Sequence, residues 1–181
     1  MKKFISVILT LSCAVQVFAQ TASLVRQGDA TQLLVEGKPF LILGGELGNS
    51  SAACFEDIEA NFEKLRRMGL NTVLVPAYWD LTEPVEGQFD FTLTDKVLEE
   101  ARANDLKVIF LWFGAWKNSM SCYAPLWFKK DYEKYPRAYT KEGKPLEIAS
   151  SFSENVFQAD NKAFTTWLRH VSEEDKDHGT V

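Results

Sequence analysis

Nine polar and aromatic side chains fall in three segments, each of which follows an apolar run of the chain. Trp and Tyr rings stack on the C–H faces of sugars, while carboxylates and amides bind sugar hydroxyls. This combination of residue types therefore indicates a carbohydrate-binding surface. The candidate binding residues are Glu46, Asn49, Tyr78, Trp79, Asp80, Glu83, Trp112, Trp116 and Asn118.

Several of these residues also have a purely structural explanation. Trp112 ends an apolar stretch and suits the filling of a barrel interior equally well. Asp80 and Glu83 are residue types that cap turns, and Asn118 is of a type that is common in loops. The convergence of three segments on one surface is what favours the binding interpretation.

The elements that must position these segments follow from the hydrophobic periodicity. Apolar, β-branched runs predict buried strands, and apolar residues at three- and four-residue steps predict amphipathic helices between them. We predict a β-hairpin formed by residues 23–26 and 32–36, buried strands over 40–44, 71–75 and 106–112, and helices over 55–68, 95–104 and 161–174. The residues Gly179-Thr180-Val181 look like the beginning of a fourth strand.

The alternation of strands and helices is typical of an α/β protein with a parallel sheet. The turn at residues 44–48 lacks the glycine spacing of a nucleotide-binding sheet, and the segments after the strands are long and aromatic, as in barrel enzymes. A (β/α)8 TIM barrel needs eight strand–helix units, and about three and a half are recognisable here. We therefore expect the first half of a TIM barrel over residues 40–181, which stops at strand 4, preceded by a β-hairpin over 20–39.

Residues 71–91 read NTVLVPAYWDLTEPVEGQFDF and resemble the second βα unit of retaining β-galactosidases of glycoside hydrolase families 35 and 42. In that unit a strand that begins G-x-N-T-V leads into a segment of the form W…xEP…G-x-[FY]-D-F. The similarity extends upstream to VEGKPF at residues 35–40 and downstream to Trp112, and covers roughly residues 32–130.

The resemblance implies a (β/α)8 barrel and a double displacement carried out by two glutamates. In these families the acid/base glutamate follows strand 4 in an Asn-Glu pair, and the nucleophile follows strand 7. Both positions would lie beyond Val181, so no catalytic residue is assigned within this sequence. Glu46 and Glu83 match family positions that would face the galactosyl site.

Two positions depart from the family 35 pattern. Leu47-Gly48-Asn49 stands where a His-Tyr-like pair usually follows the first glutamate, and Ala115 stands where an acidic residue usually precedes the tryptophan. These differences leave the expected barrel intact, and they make another β-linked sugar an alternative to galactose.

The first nineteen residues have the charge–apolar–small order of a secretory signal peptide. Lys2 and Lys3 precede a nearly continuous apolar run, and the predicted cleavage point follows Ala19. The run is too short to cross a bilayer, and a buried N-terminal helix is the alternative. We therefore predict a signal peptide over residues 1–19 and an exported protein, either periplasmic or extracellular.

Composition excludes several other classes of protein. The net charge of −5 is dispersed along the chain, so nothing indicates a nucleic-acid partner, and no later stretch is apolar enough for a membrane span. After signal removal Cys54 and Cys122 remain, and they could form one bridge or stay unpaired. With two histidines and no Cys/His cluster we expect no metal and no cofactor.

The resulting prediction is the N-terminal part of an exported retaining β-glycosidase, similar to β-galactosidases, that removes terminal β-linked sugars from oligo- or polysaccharides. A glycosidase for a different sugar and a non-catalytic carbohydrate-binding protein on the same barrel are the alternatives. An Asn-Glu pair at the end of strand 4 would distinguish the enzyme from the binding protein. We expect the 181-residue chain alone to be inactive.

Overall fold

The computed structural model describes residues 22–181, so the predicted signal peptide lies outside the described residues. A small antiparallel sheet comes first and consists of β1 (Ala22–Gln27), β2 (Ala30–Val35) and β3 (Lys38–Pro39). Gly28 has a φ of 62° in the turn between β1 and β2, a conformation that glycine adopts without strain. The predicted hairpin is therefore present, while the division of the chain into domains remains a prediction.

The central sheet is parallel and has the strand order β4-β5-β6. Its strands are β4 (Gly44–Glu46), β5 (Thr72–Tyr78) and β6 (Lys107–Phe113). Helix α1 (Phe55–Arg67) connects the first two strands, and α3 (Thr92–Ala103) connects the second and third. This is the strand–helix–strand alternation that the sequence predicted, and the chain is a mixed α/β protein.

The remaining elements belong to the segments that follow β5 and β6. The short helix α2 (Trp79–Thr82) begins directly after β5. A long connection after β6 contains α4 (Leu126–Lys130) and an antiparallel pair formed by β7 (Arg137–Tyr139) and β8 (Pro145–Ala149). Helix α5 (Glu154–Asp175) then packs against the sheet.

The main core lies between one face of the central sheet and the helices α1 and α3. Val73 and Val75 of β5 pack against Ile58 and Phe62 of α1 and Val97 of α3, and all five side chains are buried. Complete burial of such a side chain contributes about 1.5–3 kcal/mol. Because both faces of β5 are largely covered, the prediction of a buried parallel strand is confirmed there.

The prediction of a buried strand over residues 40–44 was wrong. Pairing with β5 begins only at Gly44, and the side chain of Leu41 is 75% exposed. The amide of Asn71 explains the difference, because its side chain forms hydrogen bonds with the backbone groups of this segment. Its Oδ1 accepts from the backbone N–H of Leu43 at 2.9 Å, and its Nδ2 donates to the carbonyl of Leu41 at 2.8 Å.

The strand β6 was also predicted to be buried on both faces, and this holds for one face only. Val108 is buried against the helices, whereas Ile109 on the opposite face is 38% exposed. On that face, among the described residues, Phe40 and Val181 line a cavity with Ile109 near the beginning of the strand. The rest of that face is covered less completely than the helix-facing side.

Helix α5 begins at Glu154 rather than at residue 161 as predicted. The hydroxyl of Ser153 accepts from the backbone N–H of Val156 at 3.4 Å and thereby caps the helix. Val156 and Ala163 are both buried, but the polar residues between them obscure the apolar periodicity of the first two turns.

The residues after α5 return to the central sheet beside β6. The backbone N–H of Val108 donates to the carbonyl of Thr180 at 2.8 Å. The buried carboxylate of Asp175 holds this segment, since it accepts from Arg102 at 3.1 Å and from the backbone N–H of Val181 at 2.8 Å. The position agrees with the expected start of a fourth strand, although residues 179–181 form no strand ladder.

We expect the substitution Asn71→Ala to destabilise the chain by about 1–3 kcal/mol, because two backbone groups would lose their partners. Urea unfolding followed by circular dichroism measures the effect. Asn161→Ala is the matched control, since Asn161 is exposed on α5 and its side chain makes no recorded hydrogen bond within residues 22–181. Equal stability of the two variants would contradict this account of residues 41–43.

Candidate functional site

The carboxyl ends of the three parallel strands lie at one edge of the central sheet. Glu46 ends β4, Tyr78 ends β5 and Phe113 ends β6, with Tyr78 and Phe113 paired in register. In α/β proteins the segments that follow such strand ends form the binding surface. We call this edge, with the segments that follow it, the strand-end face.

Three aromatic rings form the centre of the strand-end face. The ring of Tyr78 lies 5.9 Å from that of Phe113 and 5.6 Å from that of Tyr123, and the last two are 4.9 Å apart. The Tyr78 hydroxyl accepts from the backbone N–H of Ala52 at 3.2 Å, and burial raises the pKa of Tyr78 to about 12. Tyr78 is therefore a neutral, fixed wall at physiological pH.

The ammonium group of Lys117 lies 3.9 Å from the centroid of the Phe113 ring. This is a cation–π contact, which contributes about 0.5–2 kcal/mol depending on exposure. It places a positive charge beside the three aromatic rings. Lys117 was not among the predicted site residues, because a lysine in a loop carries no distinctive sequence signal.

The carboxylate of Glu83 is enclosed by hydrogen-bond donors, and its predicted role in binding substrate stays a prediction. The side chain is only 2% exposed. One carboxylate oxygen accepts from the indole N–H of Trp79 at 2.8 Å, and the other accepts from the backbone N–H of Gly87 at 2.8 Å. Trp79 is itself fully buried, so this predicted pair forms part of the framework.

Asp80 lies next to this framework and has an unusual environment. Its backbone N–H donates to the carbonyl of Tyr123 at 2.9 Å. Its Oδ1 is buried and has no hydrogen-bond partner among residues 22–181. Burial raises the pKa of Asp80, and the charge of Lys129 opposes the rise in part. Such a carboxyl can retain its proton at a higher pH than an exposed aspartate.

Trp112 packs against helix α5 and is half-buried, and its predicted role in sugar stacking stays a prediction. Its ring contacts those of Phe164 and Trp167. Its indole N–H donates to Asp160 Oδ1 at 2.8 Å, and Asp160 Oδ2 accepts from the backbone N–H of Ala115 at 2.9 Å. Asp160 therefore holds the start of the third segment in place.

Gly114 is required at this point by close approach. A Cβ atom at this position would lie 2.3 and 2.6 Å from the carboxylate oxygens of Asp160, and 2.5 Å from the indole nitrogen of Trp112. Atoms cannot approach so closely without displacement. Any side chain at position 114 would therefore separate α5 from the end of β6.

Trp116 is the most accessible of the predicted aromatic residues. It is 41% exposed, and its indole N–H donates to the carbonyl of Ala149 at 3.0 Å, so the ring is both held and open. It lines a groove of about 240 Å³ together with Trp112, Phe157, Asp160, Asn161 and Phe164. A ring held in this way can stack on a sugar without a large loss of side-chain entropy.

Three further predicted residues, Glu46, Asn49 and Asn118, are exposed. Asn118 has a φ of 52° in a tight turn closed by the bridge between Lys117 and Met120. The structure thus separates the nine predicted residues into two groups. The exposed group contains Glu46, Asn49, Trp116 and Asn118, and the remaining members, Tyr78, Trp79, Asp80, Glu83 and Trp112, form walls and supports.

A metal site, a disulfide bond and a membrane-spanning helix are all absent from residues 22–181. Residues 22–181 contain no group of three or more His, Cys, Asp or Glu side chains arranged to hold a metal ion. Cys54 and Cys122 are both free and exposed. No helix within the same range is long and apolar enough to cross a membrane.

Comparison with known proteins identifies the class of this α/β unit as that of the glycoside hydrolases. The family model described as β-galactosidase, glycoside hydrolase family 42, matches residues 50–177. The chain belongs to this family. The likeness to family 42 that the sequence predicted is thereby confirmed, and the likeness to family 35 stays a prediction.

A curated β-galactosidase of Xanthomonas manihotis is 38% identical over 84 residues, which are 44% of this chain. The aligned region is 14% of that relative's own length, so the chain matches only a small part of it.

Two solved structures share the fold. A β-galactosidase from Rahnella sp. R3 has a TM-score of 0.58 at 17% identity, over 75% of this chain and 20% of that one. The exo-β-1,4-mannosidase Op5Man5 from Opitutaceae bacterium strain TAV5 has a TM-score of 0.52 at 18% identity, over 80% and 24%.

We expect Glu83→Gln to destabilise the chain by about 1.5–3 kcal/mol, although the side chain keeps its size. An amide offers one acceptor instead of two, so either Trp79 or Gly87 would face an N–H group. Thermal and urea unfolding measure the change, and Glu133→Gln, at an exposed position, is the control. A Glu83→Gln chain of unchanged stability with impaired sugar binding would support the binding role instead of the structural one.

We expect Asp80→Asn to gain stability relative to the original chain as the pH rises. The pKa of Asp80 is raised in the folded state. As the pH rises from the unfolded pKa, about 3.9, through the higher folded pKa, ionisation of the buried carboxyl lowers the stability of the original chain. The asparagine variant cannot ionise and keeps its stability over this range. Urea unfolding of both proteins between about pH 3.5 and 7 measures the difference in the free energy of unfolding. Asp29→Asn, in an exposed turn, controls for the loss of one charge. A pH-independent difference would contradict the burial of Asp80 Oδ1.

Proposed function

We propose that this chain is the N-terminal part of an exported retaining β-glycosidase that removes terminal β-galactosyl residues from oligo- or polysaccharides. The observation that carries the proposal is the family 42 match over residues 50–177. The curated relative with 38% identity is a β-galactosidase, which supports galactose as the sugar. The fold we propose for the whole protein is a closed (β/α)8 barrel, of which β4, β5 and β6 are the first three strands.

The mechanism that this family membership supports uses two carboxyl groups, about 5–5.5 Å apart, on either side of the glycosidic bond. One protonates the leaving oxygen and the other attacks the anomeric carbon, after which water releases the sugar. Glu83 is unsuited to either role, since both its oxygens already accept hydrogen bonds. We place both catalytic glutamates in a continuation of the chain, after strands 4 and 7 of the proposed barrel.

The role of the described residues is then to bind and orient the sugar. Trp116 offers an exposed ring for the C–H face of a pyranose. Glu46, Asn49 and Asn118 offer exposed oxygen and amide groups for its hydroxyls. Tyr78 provides a buried wall whose hydroxyl is held by the backbone N–H of Ala52.

Export is proposed from the N-terminal sequence. Lys2 and Lys3, the apolar run and the small residue at Ala19 support a signal peptide. An exported location agrees with a polysaccharide-derived substrate, which lies outside the cytoplasm.

The test uses a protein in which this chain continues through a complete barrel. We expect it to hydrolyse an aryl β-galactoside with retention of the anomeric configuration, which ¹H NMR of the first product measures. The 181-residue chain alone should show no turnover. Trp116→Ala should raise KM about tenfold, the equivalent of about 1.4 kcal/mol of lost stacking. Phe152→Ala is the matched control, since Phe152 is an aromatic residue that is 99% exposed.

Two results would contradict the proposal. Binding of galactosides without any hydrolysis by the longer protein would indicate a non-catalytic carbohydrate-binding protein. Inversion of the anomeric configuration would exclude the double displacement. Turnover of another aryl β-glycoside in preference to the galactoside would retain the enzyme class and replace the sugar.

A further inference from the structure

A second cavity, of about 200 Å³, opens on the flank of the molecule between the segment after α2, the segment after α4 and helix α5. We call it the flank pocket. Its lining includes two aromatic rings, two amides and four charged groups. These are Trp127, Tyr135, Asn155, Gln158, Glu83, Glu86, Lys134 and Lys162.

The flank pocket is separate from the strand-end face. Its aromatic wall, Trp127, packs edge-on against the fully buried Trp79 with the ring centroids 5.8 Å apart. Trp79 belongs to a different core cluster from its neighbour Tyr78, whose ring packs at the strand-end face. The pocket therefore lies on the other side of these buried side chains from the ring of Tyr78.

The ring of Trp127 is held in place before any ligand binds. Its indole N–H donates to the carbonyl of Glu83 at 2.9 Å, and the rings of Phe128 and Tyr135 meet it nearly edge-on. The side chain is nevertheless only half-buried. A half-exposed indole in a fixed orientation is suited to stacking on the C–H face of a pyranose.

The amides around this ring keep free acceptor atoms. Asn155 donates its amide N–H to the carbonyl of Lys134 at 3.0 Å, and Gln158 donates to Glu154 at 2.6 Å. Neither side-chain carbonyl oxygen has a partner among residues 22–181. Both can accept hydrogen bonds from sugar hydroxyls.

The charges of the pocket balance, which favours a neutral ligand. Lys134 is paired with Glu86 at 2.9 Å. Glu83 lines the pocket with a carboxylate that already accepts two hydrogen bonds, and Lys162 is a cation without an ion-pair partner in the described chain. Two acidic and two basic side chains thus surround the cavity. The ammonium of Lys162 is a hydrogen-bond donor for a hydroxyl.

We propose that the flank pocket is a second carbohydrate-binding site, which holds one pyranose ring of a neutral glycan on a surface other than the strand-end face. The volume suits a single sugar ring, since it lies below the range of pockets for drug-sized ligands. The choice of a glycan rests on the proposed function, but the site itself rests on Trp127 and the free amide and ammonium groups. Such a site would retain the enzyme on a polysaccharide between cleavage events.

The experiment titrates the full 181-residue chain with β-1,4-galactotetraose and follows ¹H–¹⁵N chemical shifts, including the indole N–H of Trp127. We expect saturable shifts at Trp127 and along the first two turns of α5, with a Kd in the millimolar range. The double variant Gln158→Ala/Lys162→Met should weaken binding at least tenfold. Both residues are exposed, so the variant retains the fold. The matched control Arg169→Ala/Ser172→Ala changes two exposed positions of the same helix outside the pocket and should keep the original Kd.

Three results would contradict the binding of a glycan in the flank pocket. One is the absence of shifts at tens of millimolar sugar. A second is tighter binding of digalacturonate than of the neutral tetrasaccharide, which would indicate an anion site. A third is a set of shifts confined to Trp116 and Tyr78, which would place the glycan at the strand-end face and leave the proposed function intact. Conversely, a flank pocket that binds the tetrasaccharide in a longer protein without hydrolase activity would remove only the proposed function.

Discussion

The hydrogen bonds of the buried residue Glu83 hold together the segments that follow β5 and β6. A charge in a protein interior is costly unless each oxygen has a partner, and here the indole of Trp79 and the backbone N–H of Gly87 supply them. The backbone carbonyl of the same residue accepts from Trp127. One residue therefore connects the end of β5, the turn at Gly87 and the long segment after β6. The aromatic rings of Trp79 and Trp127 pack together beside it.

This arrangement gives the molecule two differently built surfaces. On one side the rings of Tyr78, Phe113 and Tyr123 close the ends of the parallel strands, with Trp116 exposed in the following segment. On the other side Trp127 faces the flank pocket. Buried aromatic residues from two adjacent core clusters hold these surfaces, so the sugar stacking proposed for either side would require little rearrangement of the backbone.

The sequence predicted what depends on local pattern and failed where distant partners decide. Helix α1 was predictable because Ile58 and Phe62 repeat at helical spacing, and the strand 72–78 because its apolar residues are continuous. The backbone hydrogen bonding of Leu41 depends on Asn71, thirty residues away, and the position of Trp112 depends on Asp160, forty-eight residues away. The motif around Glu83 indicated the family correctly, but residue type alone does not reveal that a carboxylate is enclosed rather than presented.

The contact between Gly114 and Asp160 has a consequence for the order of folding. The end of β6 gains its shape from a carboxylate that is synthesised some forty-five residues later, on helix α5. Closing a loop of that length is entropically costly, and local helices and hairpins form sooner. Helices α1 and α3 are therefore expected to form early, and the segment carrying Trp116 is expected to become ordered only when α5 packs against it. The proposed binding surface is among the last parts of this chain to become ordered.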